Sequence, residues 1–218
     1  MTQTRPAPPP GGIAGTAATA GTGFEVVGVD IEPQPDYPYE FMQMDGLDVL
    51  RGDLSPYSAI HMAWPCQAYT PFQKGSNKRL NRTYPKLTEM GRFLAERTGL
   101  PFVIENPAAR ADVVLCGEMF GLDVIRHRKF ELGGWKAEQP EHVKHRGRII
   151  GYRHGVKYEG VYYAVYGSGG GKGTVEEWRN AMGIHWTWDR KSIAEATPPA
   201  YTEWVGTALM QHLQEETA

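Results

Sequence analysis

Three short motifs carry the side chains best suited to chemistry: a thiol at Cys66, a carboxylate at Glu105 and two guanidinium groups at Arg126 and Arg128. Each motif borders an apolar run that predicts a β-strand. A thiolate can add to an electron-poor ring, and a carboxyl group with nearby guanidinium groups can stabilise the charge that the addition creates. Taken singly, the motifs are also compatible with a buried small side chain, a turn and a solvated charge run. Together they predict a nucleophilic enzyme site.

The elements that must position these side chains are strands alternating with helical or loop segments. This alternation predicts an α/β fold with an open, doubly wound and mostly parallel sheet, Rossmann-like in type. The predicted strands are 24–31, 60–63, 102–104, 113–115 and 129–132. Leu87, Met90 and Leu94 repeat at helical spacing before Gly99, which predicts a helix there. In open α/β sheets ligands gather at the carboxyl ends of strands, where Asp30, Cys66 and Glu105 all fall.

The pattern divides the chain into four parts. Residues 1–22 are rich in Pro, Gly, Ala and Thr and predict a flexible segment, whereas 23–133 form the predicted catalytic core. Residues 134–185 predict a small β-rich segment, which ends in a helix opened by a capping box at Thr174 and Glu177. Residues 186–218 predict a final amphipathic helix that returns to the core.

Composition limits the kind of partner. The chain has 218 residues, 41% of them hydrophobic, and a formal charge of −2, so contact with nucleic acid requires a local basic patch. No apolar stretch is long enough to span a bilayer, and the two cysteines of a chain with no secretory leader predict reduced thiols in the cytoplasm. His142 and His145 have a metal-like spacing, but no second ligand pair accompanies them in sequence, so no metal is expected.

The order of the prolyl-cysteine, Glu-Asn and Arg-x-Arg motifs resembles that of the cytosine carbon-5 DNA methyltransferases, in the short form carried by phages. The resemblance covers roughly residues 23–210. Its matching stretches are 24–31, 65–70, 102–106, 115–122 and 198–203.

This resemblance implies a role for each residue of the predicted site. Cys66 would add to carbon 6 of cytosine, and Glu105, protonated, would hold the ring nitrogen 3 edge. Arg128 would stabilise charge at the ring carbonyl, with Arg126 as a second catalytic cation. The substrate would be double-stranded DNA with the cytosine flipped out of the helix. Further substrate contacts are expected from Gln67, Tyr69, Lys78, Arg79, Arg82 and Asn106.

The cofactor that the resemblance implies is S-adenosylmethionine. Asp30 would bind the ribose hydroxyls and Asp45 the adenine amino group, although each could equally be a turn aspartate. The other expected cofactor-binding residues are Gly12, Ile31, Gly46 and Pro65. The chain departs from the family at its start, where a strand and a glycine-rich turn are expected and only scattered glycines occur. The first strand is therefore expected to be missing, with loss of cofactor contacts.

Two basic segments predict the DNA contacts. The first is the loop 74–86. The second lies in residues 134–185, the segment that the resemblance assigns to DNA recognition, and contains Lys144, Arg146, Arg148 and Arg153. The expected protein is a phage-encoded monomer in the host cytoplasm that protects DNA against restriction. Two other interpretations stay open: a cofactor-deficient relative that binds DNA, and a methyltransferase that acts on a free pyrimidine nucleotide.

Overall fold

The computed structural model describes residues 2–4, 22–69, 84–153, 156–166 and 173–217. Its strands are Thr2–Thr4 (β1), Val26–Asp30 (β2), Glu40–Gln43 (β3), Ala59–Met62 (β4), Phe102–Glu105 (β5), Val113–Leu115 (β6), Arg128–Gly133 (β7), Gly151–Arg153 (β8) and Val156–Tyr158 (β9). Its α-helices are Gly46–Val49 (α1), Thr88–Thr98 (α2), Val175–Met182 (α3), Arg190–Glu195 (α4) and Pro199–Glu216 (α5). Short 3-10 turns cover Cys66–Ala68 and Gly117–Phe120.

A seven-stranded sheet in the order β3-β2-β1-β4-β5-β7-β6 forms the centre of the molecule. β2 pairs with β3 and β4 pairs with β5 in parallel, whereas the pairings made by β1 and β7 are antiparallel. The α/β class predicted from sequence is confirmed. The sheet is mixed, so a doubly wound and mostly parallel arrangement is not established by the strand pairing.

The strand β1 bears on two expectations from the sequence, the flexible N-terminal segment and the missing first strand; it fills the place of that strand but runs antiparallel to both neighbours. The part of the N-terminal segment that the structure describes, Thr2–Thr4, is a strand and not a flexible tail. It lies between β2 and β4 and pairs with both, so the central position of the sheet is filled. The physical reason is that an empty position would leave the backbone N–H and C=O groups of both neighbours without partners inside the protein.

The sheet is covered on both faces, because alternate residues of each strand point to opposite sides. On one face, Ile60 and Ile104 pack with the buried Ala95 of α2. On the other face, Val103 and Phe130 pack with α5. The helices therefore hold β4, β5 and β7 in fixed positions, and the candidate site lies where these three strands meet.

The helix α2 forms where the sequence predicts it, and Leu87 and Leu94 of the predicted repeat pack against the core, whereas Met90 does not. It ends at Gly99, whose φ of +74° lies in the left-handed region that favours glycine. Met90 is 45% exposed, and the buried residues of the helix are Thr88, Gly91 and Ala95. A Cβ atom on Gly91 would lie 2.3 Å from Nε1 of Trp64, so the close approach of this indole selects the small-residue face.

The C-terminal half adds a smaller core and one hairpin. The hairpin β8–β9 lies in the segment predicted to be β-rich, and the predicted capping box opens α3, with Thr174 and Glu177 bonded to each other's backbone N–H. Trp178 and Ile193 bring α3 and α4 together with Val124 of the main domain. α5 buries Tyr201 and other residues against the sheet, as its predicted return to the core requires. No helix of the described ranges is long and apolar enough to cross a bilayer.

Candidate functional site

Cys66 lies in the first turn after β4. Pro65, at φ −48°, directs the chain out of the strand, and the carbonyl of Cys66 accepts a hydrogen bond from the backbone N–H of Tyr69 at 2.9 Å. The residue is half-buried and its thiol is unpaired with the other cysteine. A thiol on a tight turn at the carboxyl end of a buried strand is held firmly enough to act on a bound ligand.

Glu105 and Arg128 face each other at the same edge of the sheet. Glu105 is the last residue of β5, Arg128 is the first residue of the adjacent β7, and Nε of Arg128 lies 3.3 Å from Oε1 of Glu105. The distance fits an ion pair, yet the geometry does not fit a hydrogen bond, and both atoms are shielded from solvent without a hydrogen-bond partner among the described residues. Such buried, unpartnered polar atoms are unusual and are often found at ligand-binding sites.

Asn106 connects the end of β5 to the approach to Cys66. Its side-chain amide donates to the carbonyl of Trp64 at 2.9 Å, and its side-chain oxygen accepts from the backbone N–H of Ala108 at 3.0 Å. Asn106 is 1% exposed. Because both ends of the amide are used, this side chain positions the Pro65–Cys66 turn relative to Glu105.

The surroundings of the Cys66 thiol act on its pKa in opposite directions. Burial raises the pKa most, the positive charge of Arg128 lowers it, and the negative charge of Glu105 raises it again. The net effect is a pKa above the usual value for cysteine, so the thiol form is favoured at neutral pH. Arg128 and Glu105 therefore lie close enough to Cys66 for their charges to act on its thiol.

Arg126 lies deeper than Arg128 and makes different contacts. Its guanidinium donates to the backbone carbonyls of Val165, Ala194 and Ala196, the last two at 2.6 and 2.9 Å. Burial first, and then the charge of Arg128, lower the pKa of Arg126 to about 9. In this arrangement Arg126 joins β7 to the C-terminal helical segment.

The expected cofactor residues Asp30 and Asp45 share a second part of the same edge. The backbone carbonyl of Asp30, at the end of β2, accepts from the N–H of Met44 at 3.0 Å, and Asp45 follows at once as the N-cap of α1. One carboxylate oxygen of each residue accepts a nearby backbone N–H, from Glu32 and Leu47 respectively. β2 and β4 flank β1, which separates them by about 10 Å.

The residues at this edge offer the types of group that the nucleoside half of the expected cofactor, S-adenosylmethionine, would need. The exposed Ile31, next to Asp30, offers an apolar surface for adenine, and the aspartates offer acceptors for hydroxyl and amino groups. Gly46 is the first residue of α1, and Pro65 lies at the near end of β4. The methionine half would need a central strand that runs parallel to its neighbours and leads into a glycine turn at this edge. Among the described residues the central strand is β1, which runs antiparallel to both neighbours and so leads away from this edge.

One predicted cofactor residue and several predicted substrate residues are not described by the structure. Gly12, Lys78, Arg79, Arg82 and most of the 74–86 loop lie outside the described residues, as do the side chains of Gln67 and Arg153.

The remaining predicted substrate residues are placed. Tyr69 lies one turn after Cys66 and its hydroxyl is buried. In the second basic segment, Arg146 binds Glu118 and Asp123, and Arg148 donates to the carbonyl of Glu159. Lys144 is exposed. Two of these predicted phosphate-binding arginines are therefore already engaged within the protein.

The sequence pattern missed one cluster of chemically active side chains. Cys116, His127, His142 and His145 have side-chain ligand atoms within 4.8 Å of one another. The spacing of His142 and His145 was the only signal of it in the sequence. Cys116 and His127 are too distant along the chain to be assigned to the same group without the fold.

A groove of about 680 Å³ lies along α5 and is lined by Phe120, Lys136 and Trp204, among others. Its lining contains none of Cys66, Glu105 or Arg128. The groove is therefore separate from the site formed by Cys66, Glu105 and Arg128.

Comparison with known proteins gives no functional assignment for the residues of the candidate site. The chain matches no protein-family model, no curated protein and no solved structure.

Proposed function

We propose that the protein is an S-adenosylmethionine-dependent DNA cytosine carbon-5 methyltransferase of the phage type, which acts through a covalent adduct at Cys66 and protects DNA against restriction. The observation that carries the proposal is the convergence of Cys66 with the Glu105–Arg128 pair at one edge of the sheet. A thiol, a carboxyl group and a guanidinium are the three groups that addition to a pyrimidine ring requires.

The order of the strands also supports a Rossmann-like fold. The run β3-β2-β1-β4-β5 follows the doubly wound order 3-2-1-4-5, in which ligands bind beyond the carboxyl ends of the strands where the order reverses. Here β2, β4 and β5 end at the same edge, because β2 and β4 are both antiparallel to β1. Asp30 and Glu105 are the last residues of β2 and β5, and Cys66 follows the end of β4.

The chemistry assigned to the site is addition followed by elimination. The sulfur of Cys66, as thiolate, forms a bond to carbon 6 of cytosine, and the electrons of the ring double bond become available at carbon 5. S-adenosylmethionine, when bound, would supply an electrophilic methyl group to that carbon, with S-adenosylhomocysteine as the leaving product. Loss of the carbon 5 proton to water and cleavage of the sulfur–carbon 6 bond then restore the ring double bond and the thiolate.

Glu105 and Arg128 support the ring during the addition. Oε1 of Glu105 and Nε of Arg128 form an ion pair but make no hydrogen bond to the described residues, which leaves hydrogen-bonding capacity for a bound ring. The ring nitrogen 3 edge would face Glu105 and the ring carbonyl would face Arg128. Arg128 has a second role, because its charge lowers the pKa of the Cys66 thiol and so favours the nucleophilic form.

A second candidate function is favoured by one observation, the reversed direction of β1. Without a parallel central strand and its glycine turn, the described edge lacks a cradle for the methionine half of the cofactor. The alternative is a relative that binds pyrimidine-containing DNA without transferring a methyl group. Transfer to a free pyrimidine nucleotide would use the same residues and differs only in substrate.

The proposal is tested with duplex DNA that contains 5-fluorocytosine. Fluorine at carbon 5 prevents the elimination, so the enzyme should remain attached to the DNA through Cys66 when S-adenosylmethionine is present. We expect an adduct with the wild type and with Lys129→Ala, an exposed neighbour of Arg128. Cys66→Ala should form none, and Arg128→Ala should form it at least about 100-fold more slowly, in line with the loss of one charge-stabilising donor.

Calorimetry with S-adenosylmethionine separates the two candidates. Cofactor binding together with the adduct supports the methyltransferase, and an adduct that persists in Cys66→Ala shows that the nucleophile is wrong. DNA binding without any cofactor binding supports the cofactor-deficient relative. An adduct with fluorinated nucleotide but not with DNA identifies the free nucleotide as substrate.

A further inference from the structure

A thiol and three imidazoles converge beside the candidate site, on residues far apart in the chain. Cys116 follows β6, His127 precedes β7, and His142 and His145 belong to the irregular segment after β7. Nε2 of His127 lies 3.0 Å from Nε2 of His142, and Sγ of Cys116 lies 3.3 Å from Nε2 of His145. All four ligand atoms lie within 4.8 Å of one another.

These distances match the requirements of a tetrahedral metal ion. With Zn–N bonds of about 2.0 Å and a Zn–S bond of about 2.3 Å, the ligand atoms of a tetrahedral zinc site are about 3.3–3.6 Å apart. The two measured pairs are within a few tenths of an ångström of that range. A small adjustment of exposed imidazole rings would bring all four atoms into coordination.

The ring packing indicates convergence on one point. The His127 and His142 rings are stacked, with an interplanar angle of 8°, and the His145 ring contacts both at centroid distances of 5.5 and 5.1 Å. His127 and His142 are exposed, so the burial of apolar surface does not explain why these rings gather. Cys116 is fully buried beneath them.

From this geometry we infer that Cys116, His127, His142 and His145 form a zinc site. One thiolate and three imidazoles suit zinc, because thiolate excludes the hard cations and imidazole is a common zinc ligand. Four protein ligands close the coordination sphere, which is typical of a structural site and not of a catalytic one. The thiol proton, which the Cys116 side chain now donates to the carbonyl of Ile125 at 2.9 Å, is released when zinc binds.

The site would secure the loop after β7 to the β6–β7 pair. Other contacts already point the same way, since Arg146 binds Glu118 and the Tyr162 hydroxyl donates to Glu118. His127 lies between Arg126 and Arg128 in the chain, so zinc would also fix the backbone that presents Arg128. This role does not depend on the proposed methyl transfer.

The test is zinc binding by the full-length protein, measured after zinc loading and dialysis by elemental analysis and by competition with a chromogenic chelator. We expect about one zinc per chain for the wild type and for the control His185→Ala, an exposed histidine outside the cluster. His142→Ala should weaken zinc affinity by more than about 100-fold, since the loss of even an outer partner costs 10–100-fold. His142 is exposed and lies outside the helices and strands, so this variant should fold, as circular dichroism can verify.

Cobalt provides the second measurement. Cobalt-loaded wild type should show a thiolate-to-cobalt charge-transfer band, and Cys116→Ser should lack it while the control keeps it. The inference is overturned if the wild type takes up no zinc or cobalt, or if folded His142→Ala binds zinc as tightly as His185→Ala does. Neither readout requires activity, so failure of the proposed methyl transfer leaves the metal result interpretable.

Discussion

At the scale of single residues, the candidate site depends on the balance of charge around a half-buried thiol. Burial makes Cys66 a weaker acid, whereas Arg128 makes it a stronger one and Glu105 opposes Arg128. The same two side chains pair with each other at 3.3 Å, so a change to either alters the other as well. The pH dependence of Cys66 reactivity therefore reports how Arg128 and Glu105 change the pKa of its thiol.

The first prediction concerns the pH dependence of Cys66 alkylation by iodoacetamide. Because only the thiolate reacts, the rate should rise with pH. It should reach half its maximum at a pH above the usual cysteine pKa of about 8.5. Arg128→Gln removes a positive charge and should move the midpoint to higher pH. Glu105→Gln removes the opposing carboxylate and should move it to lower pH.

Peptide mass spectrometry distinguishes Cys66 from the buried Cys116 in this experiment. Lys129→Ala is the matched control, because its exposed cation is not among the groups that act on the Cys66 thiol. Equal midpoints in the wild type, Arg128→Gln and Glu105→Gln would contradict the proposed electrostatic coupling.

At this scale the sequence predicts residues that end strands and misses residues that only the fold assembles. Cys66 and Glu105 each follow an apolar run, so their meeting at one edge of the sheet follows from strand geometry. The contact of Asn106 with the carbonyl of Trp64 could not be predicted, because it depends on the register of β4 and β5. The clustering of Cys116 with His127 likewise depends on how β6 pairs with β7.

At the scale of elements, β7 connects the candidate site to the helix layer. Arg128 begins this strand, and Glu131 follows within it, 1% exposed. Glu131 accepts two hydrogen bonds from the Arg92 guanidinium of α2, at 2.5 and 2.7 Å, and a third from the backbone N–H of Arg110 at 2.8 Å. A buried carboxylate with this set of donors fixes the position of β7 relative to α2 and the 106–112 turn.

The second prediction is that Glu131→Gln lowers the free energy of unfolding by about 3 kcal/mol, because it leaves the Arg92 guanidinium without its counter-ion in a largely buried position. Asp48→Asn is the control. It breaks the exposed ion pair with Arg51 and should cost about 0.5 kcal/mol or less. Urea unfolding measures both, and equal losses for the two variants would show that the buried pair does not stabilise β7.

The elements themselves were largely predictable where hydrophobic periodicity is strong. β4, β5, β6, β7, α2 and α5 lie at or within a few residues of their predicted positions. β3 was not predicted, because Glu40–Gln43 is an edge strand with exposed ends and lacks a continuous apolar run. In α2, Leu94 packs against the core as its spacing indicates, but Met90 is exposed, and Gly91 lies against Trp64 instead.

At the scale of the whole molecule, the centre of the sheet comes from the first residues of the chain. Thr2–Thr4 joins the β3–β2 pair to β4 and the strands beyond it. The two halves of the proposed ligand edge, with Asp30 on one side and Cys66 on the other, are thus hydrogen-bonded through three residues, in addition to the core that Val29 and Ile60 share. Composition alone predicted a flexible segment, because three polar residues before a proline-rich stretch carry no hydrophobic signal for a strand.

The last prediction therefore concerns Gln3, which lies opposite Val27 on one side and Ile60 on the other. Gln3→Pro removes the backbone N–H from a strand that is paired on both edges, where proline is not tolerated. An acceptor in one neighbouring strand is left without its donor, at a cost of about 1–3 kcal/mol, and disruption of the second pairing adds to this loss. Gln3→Thr keeps the N–H and suits a strand, so it should stay within about 1 kcal/mol of the wild type. Urea unfolding of the full-length variants gives the comparison, and a Gln3→Pro midpoint equal to that of Gln3→Thr would show that β1 does not hold the two halves of the sheet together.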